Sequence, residues 1–307
     1  MVYHYTSPDG LYAILKCNSL RFTDCQYMND RSEFIYIKDT FLKGLKECEG
    51  KLKYKHYDKL IELAFSNKYG EKDFNYIPPS KDSPKGKFIT SDKRHYIFCT
   101  STADDSLGMW NYYVKGENYQ GYNIGLDTDL LIAEAGKKSH GSFCYDLAHN
   151  NVIYDAEKQV LLLIMLLHNI DKDIFDYASE YGEEELYKYL EDSTAYSIFS
   201  CRLSFSFYRL LFKHPAFVDE REYRFILSIS DNQIKENSSI FKKDYFVRNG
   251  VITPCCKLTF DKESIKNITV SPTMEFQLVK YSTQIFLEEN GYVHNIDIKQ
   301  SGIPIRY

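Results

Sequence analysis

The chain has 307 residues, 44 % hydrophobic and 26 % charged, which excludes a disordered or fibrous protein and leaves enough apolar residues for a large core. Its formal charge of −5 argues against broad, salt-driven nucleic-acid binding as the main activity, while leaving room for a local basic groove. The eight cysteines include no CxxC pair, so neither a zinc site nor a disulfide framework is expected and no metal is implied. No basic and then apolar leader opens the sequence, and the longest apolar run, Val160 to Leu167, is too short to span a bilayer. The expectation is a cytoplasmic protein with no membrane partner, a single domain over residues 1–307 with a helical insertion at about 155–213.

The chain begins with a β-branched and aromatic run, Val2-Tyr3-His4-Tyr5-Thr6, followed by Ser7-Pro8. This predicts a strand handing over to a helix, with Thr6 or Ser7 as cap, Pro8 in the first turn and Asn18 at the helix end. A strand at Leu20–Thr23 follows. Asp30 and Glu33 have the spacing of a capping box, ahead of a helix running to about Glu47. A second helix is expected over about 54–67. Residues 70–92, with Pro78, Pro79 and Pro84, read as a long surface loop able to act as a lid.

Tyr96 to Ser101 is a strand, Asp104-Asp105-Ser106 a helix cap, Leu107 to Tyr113 a short helix and Gly121 to Leu126 another strand. Short strands are expected at 141–145 and 151–154. A strongly apolar helix covers Ala156 to about His168, and one or two more lie between Glu183 and Phe212. His214-Pro215 breaks the chain before Asp219 to Leu227, read as a strand with Glu220, Glu222 and Arg224 on one face. Strands at 245–248, 256–260, 265–270 and 292–298 and a helix at about 274–290 complete a mixed α+β pattern.

Two clusters carry chemistry. A carboxylate held beside an arginine can hydrogen-bond a ribose hydroxyl and stabilise positive charge developing on the sugar, as cleavage of a glycosidic bond requires. Glu220, Glu222 and Arg224 supply those groups, or form a solvated sheet edge. Thr100-Ser101-Thr102 at a strand end, followed by Met109, Trp110, Tyr112 and Tyr113, offers hydroxyls and a stacking surface for a planar ring, or simply core. His4 sits where the opening strand meets a helix N-terminus. No Gly-rich phosphate loop or GxSxG elbow occurs.

Tyr3-His4-Tyr5-Thr6 with Gly10-Leu11 and Ile14-Leu15, then Leu20-Arg21 and Asn29-Asp30-x-x-Glu33, resembles the bacterial "domain of unknown function 2971" family. Ser101, Met109-Trp110-x-x-Tyr113, the Gly121 strand, Glu220-x-Glu222-x-Arg224 and Ser301-x-Ile303-Pro304-x-Arg306 extend that resemblance over nearly the whole chain. More distantly, the order of these pieces is similar to ADP-ribosyltransferases. That resemblance implies a mainly antiparallel mixed sheet core and NAD as substrate. His4 would contact a ribose hydroxyl, Tyr113 would stack on nicotinamide, and Glu222 would be the catalytic carboxylate with Glu220 beside it. Tyr5, Thr6, Ser101, Trp110 and Arg224 would line the nucleotide. Thr100-Ser101-Thr102 and Glu220-Arg221-Glu222 are similar to the Ser-Thr-Ser and Glu-x-Glu motifs of another branch, which begins with arginine where this chain has His4.

The resulting expectation is an enzyme that cleaves the nicotinamide–ribose bond and modifies a protein or nucleic-acid acceptor, as a toxin or phage-defence effector would. Two other classes stay open: a non-catalytic module that senses a small-molecule nucleotide, and a metal-independent nuclease using His4 and a carboxylate.

Overall fold

The computed structural model describes residues 1–27, 31–52, 73–77, 87–91, 93–114, 118–137, 146–181, 208, 210–248, 250–292 and 295–304. They group into two compact units, one of residues 1–27, 94–152 and 216–307, the other of residues 28–93 and 153–215. The fold is mixed α+β, and its main sheet is largely antiparallel.

In the first unit, β1 (Val2–Thr6) leads into α1 (Pro8–Cys17) and β2 (Ser19–Asp24). Ser7 caps α1 by accepting a hydrogen bond from the Gly10 N–H at 3.2 Å. Pro8 occupies the first turn, and Asn18 closes the helix in the left-handed region at φ 46°. Next come β5 (Lys93–Ser101), α3 (Leu107–Tyr113), β6 (Tyr122–Leu126), α4 (Thr128–Lys137) and β7 (Asp146–Asn151). After a 3₁₀ turn at Pro215–Glu220 the chain forms β8 (Glu222–Ser230), α6 (Asp231–Glu236), β9 (Phe241–Arg248) and β10 (Val251–Thr259). It ends in β11 (Ile265–Val270), α7 (Phe276–Glu289) and β12 (Asp297–Gln300).

The sheet order is β12-β11-β6-β1-β5-β2-β10-β9, with β8 on β5 and β7 on β8. One β5 edge serves both β1, through Tyr3 opposite Ser101, and β2, through Thr23 and Asp24 opposite Ile97 and Tyr96. The sheet therefore divides along β5, and Cys99 lies between the two pairings. Val2, Leu20, Phe22, Phe98, Ile124, Phe225, Leu258 and Ile268 belong to the main core on one side of this sheet. A smaller cluster of Tyr5, Met109, Trp110 and Val114 lies on the other side of β1.

The second unit contains α2 (Arg31–Glu47), β3 (Asp73–Ile77), β4 (Lys87–Ser91) and α5 (Ala156–Tyr181). The Tyr36 hydroxyl on α2 donates to Gln159 Oε1 on α5 at 2.7 Å, and Gln159 Nε2 donates to the Lys213 carbonyl at 2.9 Å.

Several expectations are corrected. Residues 70–92 contain the antiparallel pair β3–β4, not a structureless loop; Phe74-Asn75-Tyr76-Ile77 and Phe88-Ile89-Thr90 have strand composition, while the prolines fall between the strands. In place of the strand expected at 151–154 the chain has Asp146–Asn151, placed by pairing with β8 despite its polar sequence, and the strand expected at 141–145 lies outside the described residues. The apolar helix from Ala156 continues to Tyr181. Helices α4 and α6 were not legible as separate elements. The helices expected over 54–67 and over most of 183–212, like Asn29 and Asp30, lie outside the described residues.

Candidate functional site: a buried glutamate–arginine pair on the divided sheet

Three contacts between β5 and β8 share one register: Thr102 N to the Arg221 carbonyl (2.9 Å), Thr100 Oγ1 to the Tyr223 carbonyl (2.8 Å) and His95 Nδ1 with Ser228 Oγ (2.7 Å). That register sets Ser101 beside Glu222 and Cys99 beside Arg224. With Tyr3 opposite Ser101, the row Tyr3–Ser101–Glu222 crosses three strands on one face. Side chains alternate between faces, so His4, Thr100 and Tyr223 project to the opposite one. The aromatic contacts agree: His4 lies 4.7 Å from the Phe98 ring, Phe98 lies 6.2 Å from Phe225, and Tyr223 lies 5.4 Å from Phe225. Thus the structure brings Ser101, Glu222 and Arg224 together, and leaves His4 across the sheet from them.

Glu222 and Arg224 are not a solvated edge. They are 4 % and 1 % exposed, and Arg224 Nε and Nη2 each donate to a different Glu222 oxygen at 2.9 Å. This two-point geometry is the strong form of a guanidinium–carboxylate pair. Glu220 is buried as well, but it ends the 3₁₀ turn rather than sharing the strand. Between the two glutamates, Arg221 has φ 44°, a conformation that is strained for a side-chain-bearing residue. Ser101, fully buried, donates through Oγ to the Glu220 carbonyl at 2.7 Å and accepts from the Ala103 N–H at 3.1 Å. The hydroxyl of Ser101 therefore pins the chain just ahead of Glu222.

Tyr113, at the end of α3, completes the cluster. Its hydroxyl is held well above the ordinary tyrosine range, first by desolvation and then by the fields of Glu220, Cys99 and Glu222; Arg224 opposes this. The residue as a whole is 44 % exposed. That hydroxyl stays protonated and has no hydrogen-bond partner among the described residues.

His4 is tied to the same β5 segment from the strand edge. Thr102 N–H points toward β8, so backbone alternation turns the Cys99 carbonyl toward the β1–β2 edge, where His4 Nδ1 meets it at 3.1 Å. A carbonyl only accepts, so Nδ1 carries the proton and Nε2 the lone pair. Burial lowers the imidazole pKa to about 4 against the opposing Cys99 bond, with Arg21 lowering it further. His4 is thus neutral near pH 7, and its ring packs against Phe98 at 4.7 Å.

The remaining sequence candidates have structural positions. Trp110 is fully buried, lies edge-on to Tyr5 at 4.9 Å and donates through Nε1 to Asp105 Oδ1 at 2.8 Å, so it offers no face to a planar ligand. Tyr5 is buried, donating to the Ala103 carbonyl and accepting from the Ser106 N–H, both at 3.0 Å. A Cβ on Gly10 would meet Thr6 Oγ1 at 1.9 Å, so Thr6 packs against the start of α1. Asp105 is more than a cap residue: besides Trp110 it accepts from Ser301 Oγ at 2.6 Å and the Gly302 N–H at 2.8 Å. Nothing in the local pattern at Asp105 signals those distant partners. Cys99 is the residue sequence reasoning missed, since its carbonyl holds His4 and its thiol acts on Tyr113. Among the described residues no cluster of three or more His, Cys, Asp or Glu could hold a metal ion. No described helix is long and apolar enough to cross a membrane.

The fold and site define a mixed α+β protein with a buried glutamate–arginine pair on a divided sheet. A family model described as "Protein of unknown function (DUF2971)" matches residues 109–225, and over that stretch the chain is similar to this family. The matched stretch includes Trp110, Tyr113, Glu220, Glu222 and Arg224 but not the β1 segment. No curated protein and no solved structure matches the chain, and the likeness to ADP-ribosyltransferases finds no counterpart in these comparisons.

Proposed function

We propose that the protein is an NAD-consuming enzyme of ADP-ribosyltransferase type, acting at the Glu222–Tyr113 cluster. The observation that carries the reading is the buried Glu222 carboxylate, fixed at both oxygens by Arg224 at 2.9 Å, with the Tyr113 hydroxyl within its field. Heterolysis of the nicotinamide–ribose bond leaves the bonding pair on nicotinamide and positive charge on the sugar. A carboxylate fixed on that side of the ring stabilises the charge, neutral nicotinamide departs, and water or an acceptor nucleophile then forms the new bond and gives up its proton to solvent. Glu222 is the carboxylate, with Arg224 and the Ser101–Glu220 link fixing its position. Because Glu222 is only 4 % exposed, the site opens locally to admit the ligand, and the exposed Tyr113 ring stacks on the nicotinamide. His4 acts from the sheet edge as a positioning residue.

The test is nicotinamide release from NAD by the purified protein, followed chromatographically. Glu222→Gln should reduce it by a factor of about 100 or more, the scale of losing one preorganised transition-state contact. Release unchanged in that variant, or no release by the wild type, would overturn the reading. The engagement of both Glu222 oxygens by Arg224 favours a second one, a nucleotide-binding module without turnover. That reading requires thermal stabilisation by NAD or a related nucleotide with no nicotinamide released.

A further inference from the structure

The part of the sheet formed by β2, β10 and β9 has one face in the main core, through Leu20, Phe22, Phe241, Cys256 and Leu258. Its other face carries charge. Arg21 is opposite Lys257 on β10, and Lys257 is opposite Lys242 on β9, so three cations form one row across three strands, roughly 10 Å wide at the usual strand spacing. Two residues apart along β9, the same face presents Asp244, Phe246 and Arg248. Lys257 is neutralised by Asp244 at 2.6 Å. Arg21, Lys242 and Arg248 have no ion-pair partner among the described residues. The Arg21 guanidinium lies over the Phe246 ring at 4.6 Å, and it crosses the buried Cys255, whose thiol feels its charge. Arg21 and Lys242 are exposed.

We propose that this face is a docking surface for single-stranded nucleic acid. In a chain of formal charge −5, a concentrated cationic row is an electrostatic footprint and not the average surface. An open antiparallel sheet that combines such cations with a partly exposed aromatic ring matches the backbone and the base of a single strand together: Arg21, Lys242 and Arg248 take phosphates and the Phe246 ring takes a base face. This inference is independent of NAD chemistry, because none of these side chains belongs to the Glu222–Tyr113 cluster.

Fluorescence anisotropy with a labelled mixed-sequence oligonucleotide of about 16 nucleotides tests it. Affinity should fall by a factor of about 20 between about 50 and about 200 mM salt, as expected for three phosphate contacts on a single strand. Arg21→Gln and Lys242→Gln should each weaken binding and lower the salt slope by about 0.7. Phe246→Leu should weaken it by a factor of about 5 or more at unchanged slope. These positions are on the surface, and matching melting temperatures verify that the variants fold. Absence of binding at the lower salt, a salt slope unaffected by both charge removals, or stronger capture by phosphatidylserine vesicles than by the oligonucleotide would overturn the proposal. Nicotinamide release measured on the same variants keeps its failure distinct from failure of the NAD reading.

Discussion

Arg224 meets Glu222 through two parallel hydrogen bonds of 2.9 Å inside the protein, two residues apart on one face of β8. Removing one partner strips two charge-assisted hydrogen bonds from the buried charge that remains, which costs more than the intact pair contributes. Arg224→Met should therefore lower unfolding stability by about 3–5 kcal/mol, read from urea denaturation. Arg224→Met combined with Glu222→Leu should recover most of that loss.

His4 links stability to pH. Its folded pKa of about 4 is below the unfolded value of 6.5, so the unfolded chain binds the proton more readily between these limits. The contribution is fully present above about pH 6.5 and is lost as the pH falls through about 4, by at most about 3 kcal/mol. Urea midpoints measured across that window should fall with acidification in the wild type. His4→Asn, which keeps a donor for the Cys99 carbonyl but does not titrate, should flatten this dependence.

Ser101 offers a sharper test of how Glu222 is held. Ser101→Ala removes the donor to the Glu220 carbonyl and the acceptor of the Ala103 N–H in a fully buried place. The expected cost is about 1–3 kcal/mol of stability. Nicotinamide release should also fall in this variant at a temperature where it remains folded.

Gly121 marks a close approach between β6, β1 and the end of α3. A Cβ there would stand 2.4 Å from Val114 Cγ1 and 2.7 Å from the Thr6 carbonyl oxygen, and the second contact is backbone. Gly121→Ala should cost about 1–3 kcal/mol, measured by thermal or urea unfolding, with the strain falling on α3.

Elements governed by local chemistry could be read from the sequence. Ser7, Pro8 and Asn18 mark the two ends of α1 because caps and left-handed residues act within a turn. Ile265–Val270 was legible because a β-branched run of that length has few alternatives. Asp146–Asn151 was not, since a polar strand depends on its neighbour β8. At the site, alternation along β8 placed Glu222 and Arg224 together. The position of His4 relative to them depends on the β1–β5–β8 register, which no single segment encodes. Trp110 had the composition of a ligand platform, but Tyr5 and Asp105 enclose it.

Asp105 gives the site a place in time as well as in space. Its carboxylate holds the Trp110 indole five residues away, and it binds Ser301 and Gly302 across separations of 196 and 197 residues. During synthesis the ribosome delivers Tyr113 long before those partners exist. The links from Asp105, just ahead of α3, to the C-terminal segment form only after residue 302 has emerged, so the start of that helix is tied down last.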